Sequence, residues 1–123
     1  MRSETTSVAD AASYDVLDVT APQEAGFPAH RHPWEESIFV LTGEVELRLA
    51  GRSIRLSKDQ STQIRPGVEH QIRVLSEVAQ FLVVTPSPLA ESSVRTLNLA
   101  IWPIQRSFDH EVLEALEKTA QAA

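Results

Sequence analysis

The chain has 123 residues, 42% of them hydrophobic, with a net charge of −6 and no cysteine. That is enough apolar material for one closed core, hence one domain, and the acidic balance argues against a nucleic-acid partner, which requires a basic face. Without cysteine there are no disulfides, thiolate ligands or thiol nucleophiles, so any metal must be held by nitrogen and oxygen.

No apolar stretch approaches the roughly 18–20 residues needed to span a bilayer, and no basic amphipathic run suits a membrane surface. The first residues, MRSETTSVADAAS, lack the apolar segment of a secretory signal, so a cytoplasmic location is expected. Residues 1–12 are small and polar without periodicity and read as a flexible tail. A β-rich unit is expected over residues 13–104, opening with a strand at Tyr14–Val19. The four glycines, Gly26, Gly43, Gly51 and Gly67, are all read as turn positions.

Strands are then predicted at Glu36–Leu41, Thr62–Arg65, His70–Leu75, Val78–Thr85 and Val94–Ile101. The clearest hairpin runs from Val45, Leu47 and Leu49 through Ala50-Gly51 to Ile54 and Leu56, with Glu46 and Arg48 alternating outward. Several short strands at this spacing suggest an all-β sandwich or barrel. Over residues 105–123 the pattern changes. Ser107 followed by Asp109 and Glu111 reads as a cap and acidic first turn, while Phe108, Val112, Ala115 and Leu116 share one helical face. A short C-terminal helix is expected there, packed on the barrel or on a partner subunit, with His110 as a capping or surface residue.

Chemistry concentrates in Gly26-Phe27-Pro28-Ala29-His30-Arg31-His32-Pro33-Trp34-Glu35-Glu36. If this segment is one extended strand, His30, His32, Trp34, Glu36, Ile38 and Val40 leave the same face. Two imidazoles and a carboxylate on a buried face are costly unless something pairs them, and a divalent cation does so. The same parity favours Glu36 over Glu35 as the ligand. An isolated H-x-H is more simply read as two surface or structurally bonded histidines. The second segment, Arg65-Pro66-Gly67-Val68-Glu69-His70-Gln71-Ile72, alters that reading. There a Pro-Gly turn feeds a strand that opens on a histidine and continues with Ile72 and Val74 on the same face.

These two segments resemble the motifs of the cupins. The spacing His30-x-His32-x3-Glu36-x6-Gly43 is similar to the first cupin motif, and Gly67-x2-His70 to the second; the resemblance covers about residues 14–100. The chain departs from the pattern beside the ligands. Three residues rather than five separate Gly26 from His30, Arg65 occupies the first proline position, Val74 a common asparagine position, and Lys58-Asp59 the usual Gly-Asp turn. The resemblance implies a jelly-roll β-barrel, a homodimer, and one metal held by His30, His32, Glu36 and His70. Nitrogen and oxygen ligands do not choose among the divalent transition metals; Fe2+ is the first expectation, with Mn2+, Ni2+, Cu2+, Co2+ or Zn2+ as alternatives.

Three neutral imidazoles and one carboxylate leave a divalent complex with a net charge of about +1 and open positions for a small-molecule substrate. Glu36 is the candidate catalytic residue, and Trp34 is the first candidate for the substrate pocket, with Phe81 after it. An ordinary core role is an equally good reading of Trp34; Trp102 and Arg65 are weaker candidates. The leading expectation is a metal-dependent oxygenase, dioxygenase-like, acting on a small organic molecule. Alternatives are a non-redox isomerase, cyclase or lyase, and a non-catalytic ligand-binding cupin. No Ser-His-Asp set, phosphate-binding glycine loop or dinucleotide fingerprint competes with the metal site.

Overall fold

The computed structural model describes residues 7–87 and 91–99. Nine strands follow one another among the described residues: β1 (Tyr14–Pro22), β2 (Gly26–His30), β3 (Glu36–Thr42), β4 (Glu44–Leu49), β5 (Arg52–Ser57), β6 (Ser61–Ile64), β7 (His70–Val74), β8 (Val78–Pro86) and β9 (Ser93–Asn98). The period-2 alternation is visible in β1, where Asp15, Leu17, Val19 and Ala21 are buried and their neighbours are half-buried. The hairpin of β4 and β5 has the expected register, with Leu49 facing Arg52 across Ala50-Gly51.

The strands form a five-stranded sheet in the order β6-β3-β8-β1-β9 and a four-stranded sheet in the order β2-β7-β4-β5. Every pairing is antiparallel except that of β9 with β1. One core joins the two inner faces, with Leu17, Val19, Val40, Phe81 and Val83 on one side and Phe27, Val45, Leu47, Ile72 and Val74 on the other. Burying each large side chain contributes about 1.5–3 kcal/mol, and this apolar layer holds the two sheets face to face. The architecture is a jelly roll.

Two expectations need correction. Gly26 is not a turn residue; it opens β2, opposite Arg73 of β7. A Cβ there would fall 1.8 Å from the Ile72 carbonyl oxygen, so only glycine allows β2 to approach β7 so closely. Nor is the segment from His30 to Val40 one strand. It breaks at residues 31–35, and β2 and β3 belong to different sheets.

The tail expected over residues 1–12 is described from Ser7 onward, where a single 3-10 turn spans Val8–Asp10. The Ser7 side chain caps it through the Ala9 N–H, and the Val8 N–H donates to the Glu35 carboxylate. The expected C-terminal helix and its residues lie outside the described residues. No helix among the described residues is long and apolar enough to cross a membrane.

Candidate metal centre

The break at residues 31–35 is what assembles the site. His30 closes β2, His70 opens β7, and the two face each other in register across the sheet, next to a bulge after Phe27. Their rings stand 4.3 Å apart between centroids. His32 lies beyond the strand end, and Glu36 opens β3 in the opposite sheet. The three imidazoles therefore cluster, and Glu36 reaches two of them from the other sheet. His32, Glu36 and His70 are buried and His30 is half-buried.

Each imidazole is anchored through Nδ1 to a backbone carbonyl: His30 to Pro28 O at 2.7 Å, His70 to Val68 O at 2.8 Å, and His32 to Trp34 O at 3.3 Å. A carbonyl only accepts, so Nδ1 carries the hydrogen and donates. In the neutral ring this leaves a lone pair on Nε2, the tautomer a metal ligand needs. The three histidines offer ligand atoms that all lie within 4.8 Å of one another. Glu36 joins them through both oxygens, with Oε2 at 3.0 Å from His32 Nε2 and Oε1 at 3.2 Å from His70 Nε2.

The donor set tests whether a cation fits. Among the described residues the Nε2 atoms of His30 and His70 are buried without a hydrogen-bond partner; the His70–Glu36 contact has the distance of an ion pair but not hydrogen-bond geometry. An unmet buried polar atom costs about 1–3 kcal/mol. A divalent ion among these nitrogens and the carboxylate satisfies them together, so the residues fit one.

The electrostatics agree with the geometry. Burial by itself raises the Glu36 carboxyl, but the contacts with His32 and His70 outweigh it and hold the group down at about 2. Burial lowers His70 too, yet the Glu36 carboxylate and the Val68 carbonyl lift it above the ordinary imidazole range. For His30 burial prevails over the Pro28 bond, aided by the charge of His70, and its pKa is lowered. In the metal-free chain, therefore, the cluster pushes His30 and His70 in opposite directions, His30 toward the neutral form and His70 toward the charged one.

The pocket candidates separate. The Trp34 ring lies flat on His32, with centroids 4.2 Å apart and planes 7° from parallel, and its Nε1 is buried without a partner. Phe81 is fully buried in the core and meets Phe27 edge-on. Arg65 is exposed ahead of the Gly67 turn, and Trp102 and His110 lie outside the described residues.

Some contributors were not foreseen. The Gly67 N–H donates to the His32 carbonyl at 2.9 Å, tying the turn before His70 to the loop that carries His32. Gly67 has φ +80, a conformation that favours glycine. The anchors at Pro28 and Val68 are main-chain carbonyls two residues before their histidines. Every residue carries such a group, so no side-chain pattern signals it.

Comparison with known proteins places this geometry. Residues 17–85 match the family model Cupin_2, the Cupin domain. No curated protein sequence matches the chain. Among solved structures, a cupin protein from Bacteroides fragilis is 28% identical with a TM-score of 0.53, over 59% of this chain and 64% of that one. The DMSP lyase DddQ from Ruegeria pomeroyi is 30% identical with a TM-score of 0.51, over 57% and 36%. A conserved protein of unknown function from Streptococcus pyogenes, 21% identical with a TM-score of 0.53 over 58% and 61%, shares the fold. The chain thus spans less than two thirds of the length of each of these structures. With the jelly roll, the histidine cluster and a family match over more than half its length, this chain belongs to the Cupin domain family.

Proposed function

We propose that this protein is a mononuclear metal-dependent enzyme acting on a small organic molecule, with His30, His32, His70 and Glu36 as the metal ligands. One observation carries the reading: three imidazoles, each bonded through Nδ1 to a main-chain carbonyl, offer ligand atoms within 4.8 Å of one another, and two of them contact the buried Glu36 carboxylate. A bound divalent transition metal, Fe2+ first among the candidates, supplies a Lewis-acid or redox centre. His30, His32 and His70 would hold it through Nε2, the nitrogen their Nδ1 bonds leave available. Glu36 stays ionised at every physiological pH. With its carboxyl at about 2 it suits a charge-balancing ligand better than a general base, which works best near the operating pH.

Oxygenase chemistry is the first reading, because four protein ligands would leave an octahedral metal two open positions, enough for a substrate beside dioxygen. A non-redox lyase is the second, favoured by the 30% identity to DMSP lyase DddQ. A homodimer belongs to the same proposal. Val16, Phe39, Leu82 and Val84 alternate away from the core of the five-stranded sheet and are only half-buried, an apolar strip suited to a second copy.

Metal analysis of anaerobically purified protein should find about one transition metal per chain, and His70→Ala should lose it. Oxygen uptake on a panel of small metabolites supports the oxygenase, whereas turnover without oxygen uptake supports the lyase. Protein that holds no metal and takes up none of the candidate ions refutes the proposal.

A further inference from the structure

We infer that Trp34 is a positioning residue that fixes the ring plane of His32, a role that rests on the metal-dependent reading above. The three imidazoles are not held alike. His30 and His70 sit on paired strands, and their Nδ1 bonds of 2.7 and 2.8 Å are short. His32 sits between strands, and its Nδ1 bond to the Trp34 carbonyl is 3.3 Å, at the weak edge of the hydrogen-bond range. A bond that long restrains the ring poorly, and the Glu36 contact at Nε2, 3.0 Å away, holds the ring edge at a single point.

The stack supplies what the bond lacks. Trp34 lies 4.2 Å from the His32 ring and within 7° of parallel, whereas His30 and His70 meet that ring tilted by 53° and 73°. Only the indole presents a flat face to His32 among these neighbours. The intervening Pro33 stiffens the clamp, because proline fixes its own φ and keeps the preceding residue extended. His32-Pro33-Trp34 is therefore a three-residue unit in which the last residue holds the first through both its carbonyl and its ring. The buried indole Nε1 has no hydrogen-bond partner, so the ring face rather than the N–H makes the contact.

The test compares Trp34→Ala with Trp34→Phe by Co2+ titration and by NMR of the histidine rings in metal-free protein, with circular dichroism checking the fold. Loss of a group that orients a ligand weakens metal binding by 10–100-fold in other sites, so Trp34→Ala should weaken Co2+ binding by about tenfold. Trp34→Phe, which keeps a flat ring, should restore it. In metal-free protein the ring-current shift of the His32 resonances should vanish in Trp34→Ala, persist in Trp34→Phe, and leave His70 unmoved. Native Co2+ affinity in Trp34→Ala, or a Trp34→Phe as weak as the alanine variant, overturns the assignment. If native protein itself fails to bind Co2+ or the other candidate ions, the metal-dependent reading fails. The metal-free spectra then decide the Trp34–His32 contact alone, and unchanged His32 resonances in Trp34→Ala overturn it.

Discussion

The strand-borne histidines and the loop-borne one solve the same problem by different means. His30 and His70 face each other across β2 and β7, so the backbone ladder that closes the sheet also sets their spacing. His32 has no ladder. It depends on the Gly67 N–H at its carbonyl, a long Nδ1 bond, the Glu36 carboxylate at Nε2 and the Trp34 ring. Disturbing the strand pair should therefore damage fold and site together, whereas disturbing the loop should damage the site more than the fold.

The largest effect is expected from Gly26→Ala. Its Cβ would stand 1.8 Å from the Ile72 oxygen, so β2 must move away from β7 and carry His30 away from His70. Urea unfolding should show a loss of about 3 kcal/mol, the upper part of the usual overpacking range. A loss well below about 1 kcal/mol, typical of unconstrained positions, would contradict the coupling of sheet and site.

Gly67→Ala probes the loop. No atom lies within 4 Å of an added Cβ, so the cost is the backbone conformation at φ +80 alone. It should amount to about 1–2 kcal/mol. Metal affinity should fall as well, because the Gly67 N–H holds the His32 carbonyl. NMR should find His32 moved and His30 unmoved; movement of both would erase the distinction between the two regions.

The pH dependence of the metal-free protein sharpens the same contrast. Glu36 is held at about 2, below its ordinary value of 4.5, so its stabilisation is complete above 4.5 and is lost as pH falls toward 2. His70 is raised above 6.5, so its contribution is present below 6.5 and is lost as pH rises through the raised value. His30 is lowered, so its contribution is present above 6.5 and is lost as pH falls through the lowered value. The Glu36 and His70 effects share one contact, and Glu36→Gln should flatten both in a series of urea melts. An acid limb that survives Glu36→Gln would assign it elsewhere. Metal occupancy should also fall on acidification, because protons compete for the same Nε2 atoms.

The smallest effect is expected from Glu35→Ala. Glu35 accepts from the Val8 N–H and so ties the Val8–Asp10 turn to the loop bearing His32. Losing one such hydrogen bond should cost about 1 kcal/mol and leave metal affinity near native in the same Co2+ titration. A large loss of affinity would show that the N-terminal turn, rather than Trp34, supports the loop.

The ligand candidates and most strands were legible in the sequence because both rest on side-chain identity and spacing. Alternation along β1, β4, β7 and β8 marks a buried face, and His30, His32, Glu36 and His70 stand out as polar groups with metal-ligand chemistry. Strand parity selected Glu36 over Glu35 on the premise of one continuous strand. The structure breaks that strand, yet Glu36 still faces His32 and His70 because the loop delivers it from the second sheet. The glycine at position 26 was misread because a turn and a close backbone approach favour the same residue.

By itself the sequence determined which residues have the chemistry of a metal site and that they belong to a two-faced β fold. Only the tertiary structure decided how they are held. The carbonyls of Pro28, Trp34 and Val68 select the tautomers, the Gly67 N–H secures the loop, and Trp34 turns a flat face to His32. Main-chain donors and acceptors are the same in every residue, and a stack depends on a loop path, so neither leaves a readable pattern before the sheets are brought together.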